Sequence, residues 1–172
     1  MSMLDFIKEA GERLFRPGDA VLASTGGSSP APTVGEAQQK SELANRAAGA
    51  AIEDYIRKMD LDATGLSVEV DGAKGLVTVY GVAPDQATRE KILLCCGNVQ
   101  GVEKVEDRMS VRVDSDPASW HTVRKGDTLW DIAKTFYGNG AEYKAIFEAN
   151  RPMLIHPDKI YPGQKLRIPP KA

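Results

Sequence analysis

Leu66, Val68 and Val70 alternate with polar residues, and after Asp71-Gly72-Ala73-Lys74-Gly75 the run from Leu76 to Val82 is rich in β-branched residues. A period of two, interrupted by turn formers and then resumed, specifies a β-hairpin. The apolar face of such a hairpin has to be covered, and the flanking segments read as helices. Upstream, a helix is expected from Gly35 to Met59, with Leu43, Ala47, Ala50, Ala51, Tyr55 and Met59 as its core-facing stripe. Downstream, Pro84 is expected just inside the start of a helix that carries Ala87, Ile92, Leu93 and Leu94 and ends at Gly97. A last strand runs through Val111 and Val113. The order α-β-β-α-β defines a small α+β domain with its helices on one face of the sheet.

The second helix and the last strand are joined by Gly97-Asn98-Val99-Gln100-Gly101-Val102. Read for structure alone, this is a helix C-cap followed by a tight connection. Two glycines four positions apart also let the backbone bend so that carbonyls point at one spot, which is a cation site. The turn is apolar and lacks acids. Neutral carbonyls that replace a hydration shell suit potassium, whereas magnesium and calcium sites normally contain carboxylates.

At the N-terminus Leu4, Ile7, Gly11 and Leu14 share a helical face, flanked by Phe6, Ala10 and Phe15, so a short amphipathic helix is expected over residues 1–15. Its acids and bases roughly cancel, which favours docking on the following domain over an anionic lipid surface. Residues 16–34 include Gly26-Gly27-Ser28-Ser29-Pro30-Ala31-Pro32, the composition of a flexible tether. The α+β domain then occupies 35–113, and 114–119 is a short linker. Residues 120–170 form a second, very small domain. There His121-Thr122-Val123 reads as a strand and Thr128 as the N-cap of a helix carrying Leu129, Ile132, Ala133 and Phe136. A helix over 141–149 and a strand from Lys165 to Ile168 complete a β-α-α-β order.

The chain of 172 residues has a formal net charge of −2 and no basic cluster, which argues against a nucleic-acid partner. Two adjacent cysteines, Cys95 and Cys96, are too few and too close for a disulfide framework, and on a helix one is expected in the core and the other near the turn. No basic n-region opens the chain, and no run approaches the roughly 18 to 20 apolar residues of a membrane span. A cytoplasmic location is therefore expected. His121 and His156 fall outside any metal-binding or triad motif, so no enzyme is indicated, and they read as a strand-edge and a loop residue. Asp60-Leu61-Asp62-Ala63-Thr64-Gly65 with Asp71 nearly fits an EF-hand loop, but the exit alternates as a strand where that motif needs a helix. Trp120 and Trp130 could stack on a sugar, and Trp130 could equally cover the small core of the second domain.

Val123-Arg124-Lys125-Gly126-Asp127-Thr128-Leu129-Trp130-Asp131-Ile132-Ala133, then Asn150-Arg151-Pro152 and Ile160-Tyr161-Pro162-Gly163-Gln164, resembles a LysM domain. That resemblance implies a β-α-α-β fold of a kind that often binds N-acetylglucosamine-containing glycans such as peptidoglycan. The residues from Glu42 to Val113 resemble a BON domain through Gly81-Val82-Ala83, Gly97-Asn98-Val99 and Gly101-Val102. The order of a short helix beginning Leu4-Asp5-Phe6-Ile7-Lys8-Glu9-Ala10-Gly11, one BON domain and a C-terminal LysM domain resembles a family of bacterial cytoplasmic potassium-binding proteins.

By that resemblance the ion is held by main-chain carbonyls of Ile7, Ala10, Gly97, Val99 and Val102, and BON and LysM contact each other within the chain. Rubidium and caesium would be the best substitutes for potassium. The tether between first helix and BON domain is longer here than in that family's pattern, which raises the entropy of closing the site, slowly with length, and admits a helix docked on a neighbouring molecule. The rival reading is a peptidoglycan-binding module acting through LysM, and a third is a BON contact with lipid or envelope.

Overall fold

A computed structural model describes residues 34–171. The expected first helix, and the tether up to Thr33, lie outside the described residues. Helix α1 (Val34–Lys58) opens with Glu36 in its first turn and closes with Arg57 and Lys58 in its last, charges that complement the helix dipole. It buries Ala48, Ile52, Tyr55 and Ile56. The stripe expected from the sequence is thus rotated in part: Tyr55 is buried, Ala51 is half-buried and Met59 packs against the core, but Leu43 is 66% exposed and Ala47 and Ala50 face solvent. The cause is Gly49, which lies so close to the Val68 carbonyl that a Cβ there would collide with it, turning the neighbouring face of α1 toward the sheet.

Strands β1 (Thr64–Asp71) and β2 (Leu76–Asp85) pair antiparallel with Val68 opposite Val79 and Val70 opposite Val77, the expected hairpin. Asp71 closes its turn by accepting from the Lys74 amide, and Gly75 takes φ +58°, a conformation that suits glycine. Helix α2 (Gln86–Gly97) then crosses over to β3 (Lys104–Val113), which pairs with β2 in parallel. A parallel neighbour requires such a crossover. The sheet order is β1-β2-β3.

Pro84 is not inside α2 as expected. It is the penultimate residue of β2, whose last residue, Asp85, caps the helix instead, in an extended conformation with its carboxylate accepting from the Thr88 amide at 2.7 Å. Pairing with β1 stops at Val82, so the missing N–H of Pro84 costs no bond on that side. The core joins Ile52, Ile56, Val77, Val79, Ile92, Cys95 and Cys96. Both cysteines are fully buried, and Cys96, the one beside the turn, is in the core as well as Cys95. The end of α2 is covered on several sides, by β2 and β3, by α1, and by the second domain.

In the second domain β4 (Ser119–Thr122) and β5 (Lys165–Ile168) pair antiparallel, with α3 (Leu129–Tyr137) and α4 (Tyr143–Ala149) between them. Thr128 caps α3 as expected, accepting from the Asp131 amide at 3.1 Å. The helix expected over 141–149 is divided into a 3-10 turn, Gly140–Glu142, and α4. Gly140 lies under the Trp130 ring, where no Cβ would fit. Val123, Leu129, Ile132, Ala133, Ile146, Leu166 and Ile168 form the core. The two domains together give the α+β architecture read from the sequence. Among the described residues no helix is long and apolar enough to cross a membrane.

Candidate cation site

The turn over 97–102 begins where α2 runs out. The Asn98 amide donates to the Leu94 carbonyl at 3.2 Å, and the Val99 amide donates to that of Cys96 at 3.3 Å. Gly101 takes φ +89°, which lets the chain reverse toward β3. The amides of Glu103 and Lys104 then donate to the Gly75 carbonyl at 2.8 and 3.1 Å, clipping the exit of the turn to the hairpin.

These bonds aim the carbonyls. In a trans peptide the N–H and C=O point opposite ways. Because the Asn98 N–H points back at Leu94, the Gly97 carbonyl points forward, away from the helix. Because the Glu103 N–H points at Gly75, the Val102 carbonyl points away from the hairpin turn. The Val99 carbonyl accepts from the Val102 amide at 3.1 Å and keeps a second lone pair. Gly97, Val99 and Val102, three of the expected ligands, thus sit on one short, stiffened segment. Ile7 and Ala10 lie outside the described residues.

The chemistry of the segment is neutral. Val99 is 3% exposed, and Val102 packs against the core. Among the described residues no three His, Cys, Asp or Glu side chains gather as a metal site would require. The EF-hand-like stretch is no exception, because β1 begins at Thr64 and Asp71 is spent on Lys74. Its carboxyl is held below the usual carboxylate range, chiefly by the Lys74 side chain.

Three features of the surroundings have no plain sequence signal. Asn98 reaches across to the second domain: its Oδ1 accepts from the Lys165 amide at 2.7 Å, and its Nδ2 donates to the Lys165 and Leu94 carbonyls, both at 3.1 Å. Glu90 of α2, 3% exposed, takes the Arg167 Nε of β5 at 2.6 Å, the Gln86 Nε2 at 2.8 Å and the Ala118 amide at 2.9 Å. Met153 of the second domain is buried in the core cluster of the first. A glutamate on an amphipathic helix reads as solvated, and only tertiary structure shows otherwise. For Asn98 the available signal was its position after a helix-ending glycine.

His121 Nε2 lies 2.8 Å from Asp127 Oδ2 at the edge of β4, and His156 is exposed in a loop. Burial pushes the Cys95 thiol up to about 12 and that of Cys96 well above its ordinary value, so neither offers a thiolate. Trp130 is half-exposed, with Lys134 Nζ 5.2 Å from the ring centroid. Trp120, also half-exposed, lines a groove of about 390 Å³ between the domains with Leu93, Gly97, Val105 and Lys165.

Residues 38–113 match the BON domain family and residues 121–169 the LysM domain family. Potassium binding protein Kbp of Escherichia coli O6:H1 is 37% identical over 170 residues, covering 98% of this chain and 99% of that protein. Shorter likenesses are to YqbP of Bacillus subtilis, 43% identical over 28% of this chain and 26% of that protein, and to the spore coat assembly protein ExsA of Bacillus cereus, 42% identical over 30% of this chain and 8% of that protein. With a BON domain, a LysM domain and near end-to-end likeness to Kbp, the chain belongs to the Kbp family.

Proposed function

We propose that this protein binds potassium in the cytoplasm through main-chain carbonyls of Ile7, Ala10, Gly97, Val99 and Val102, and that binding draws the N-terminal segment, BON and LysM into a compact form. The observation that supports this best is an acid-free turn with aimed carbonyls in a chain alike over almost its whole length to a protein named for binding potassium. Several neutral oxygens spaced for a large ion undercompensate the dehydration of sodium or lithium, so rubidium and caesium compete best. An ion that binds only the closed state stabilises it by RT ln(1 + [L]/Kd), about 2.7 kcal/mol at a hundredfold excess over Kd. That is enough to hold a marginal helix in place, and it would let the protein act as a potassium sensor or buffer. Deleting residues 1–15 tests the ligand set. The shortened protein should lose its potassium-dependent rise in melting temperature, and a full response after deletion would refute the assignment.

A second reading is supported by the LysM match and by the two half-exposed tryptophans of that domain. Here LysM takes N-acetylglucosamine glycans such as peptidoglycan fragments. Co-sedimentation with peptidoglycan, in potassium and in its absence, separates a glycan module from a domain whose role is contact with BON.

A further inference from the structure

Asn98 lies between Gly97 and Val99, two of the proposed ligands, and its side chain is bonded to the other domain. Its backbone N–H belongs to the same peptide as the Gly97 carbonyl, so whatever holds Asn98 holds that carbonyl. The side-chain amide is fixed by three bonds, one to Leu94 within its own helix and two to the backbone of Lys165. Packing agrees with the bonding: a Cβ on Gly97 would stand 3.3 Å from Lys165 Cδ and 3.6 Å from its Nζ, so the Lys165 side chain lies directly against the start of the turn.

We propose that Asn98 is a positioning residue: by tying the peptide that bears the Gly97 carbonyl to Lys165 of β5, it is the side chain that carries the coupling between ion binding at the turn and seating of the LysM strand on BON. This rests on the potassium reading above. Linkage is reciprocal: an ion that fixes the turn steadies the Asn98–Lys165 bonds, and β5 in place preorganises the turn for the ion. The fold contains an internal comparison. Arg167, two residues along β5, has its amide held at 2.8 Å by Asn150, a residue of LysM itself.

The test is residue-resolved amide hydrogen exchange on the full chain, titrated with potassium chloride against choline chloride at constant ionic strength, alongside calorimetry of the same samples. Potassium should slow exchange at the Lys165 amide by about tenfold or more and leave Arg167 unchanged. Asn98→Ala should weaken potassium binding about tenfold and abolish the Lys165 response. Saturable potassium heat with no selective slowing at Lys165, or wild-type affinity in Asn98→Ala, overturns the positioning role and leaves the potassium reading standing. No potassium heat in the wild type overturns both. The wild-type comparison decides the matter by itself should Asn98→Ala fail to fold.

Discussion

Asn98 and Asn150 hold Lys165 and Arg167 of β5 with the same three hydrogen bonds. Each asparagine follows the last residue of a helix, donates to the carbonyl four residues back in that helix, and pairs with both the N–H and the C=O of one strand residue. Since Leu166 and Ile168 face β4 in register with His121 and Ser119, the two amides act as a surrogate third strand along the free edge of β5. One comes from LysM and the other from BON, so a strand of the second domain is completed by the first.

The LysM member of the pair should matter most for stability. Asn150 is fully buried, and Asn150→Ala leaves both backbone groups of Arg167 without partners. A loss of about 2–4 kcal/mol is expected, read from the urea midpoint of LysM unfolding. A loss below that of Asn98→Ala would contradict the account.

Glu90 and Arg167 form a buried ion pair between the domains, with side chains 4% and 8% exposed. Removing one partner strands the other charge, so Glu90→Ala is expected to destabilise the protein by about 3–5 kcal/mol. The double change Glu90→Leu with Arg167→Met should recover much of that loss. A double-mutant cycle in chemical denaturation reads the coupling, and additive single effects would rule the pair out as a fastening.

Gly49→Ala separates propensity from packing. Helix propensity alone predicts a gain of about 1 kcal/mol. Contact with the Val68 carbonyl predicts instead a loss of about 1–3 kcal/mol as α1 is pushed off β1. A lowered melting temperature is the expected result.

The buried thiols give stability a pH dependence of known sign. Cys95 and Cys96 have pKa values raised by burial, Cys95 to about 12, so above the ordinary value of 9.0 the unfolded chain releases protons that the folded one keeps. Stability is therefore full below pH 9 and falls above it, by up to about 1.4 kcal/mol per pH unit for each thiol. Denaturation curves of Cys95→Ala with Cys96→Ala should be flatter over this range than those of the wild type. The native thiols should also resist a thiol reagent until the chain unfolds.

Local chemistry was legible in the sequence and tertiary contact was not. The hairpin followed from alternation around the 71–75 turn, and the α3 cap from Thr128 standing before an apolar periodic run. The end of α2 at Gly97 and the acid-free character of the next turn were equally plain. The buried face of α1 differs from the expected one because Gly49, which sets the contact with β1, carries no hydrophobic signal. Pro84 was placed in a helix that Asp85 begins by a stronger means, a charged cap. Gly97, Val99 and Val102 were named as ligands only through the family resemblance, and the bonds of that turn to Leu94 and Gly75, with those of the Asn98 side chain to Lys165, follow from tertiary structure. Two of those partners lie far away in the chain.

Isothermal titration of potassium-free protein with potassium, and with sodium at matched ionic strength, tests the central claim most directly. Saturable heat from potassium with none from sodium is the predicted result. Absence of heat from both would contradict the account, leaving the 97–102 turn as a helix cap and peptidoglycan binding by LysM as the better reading.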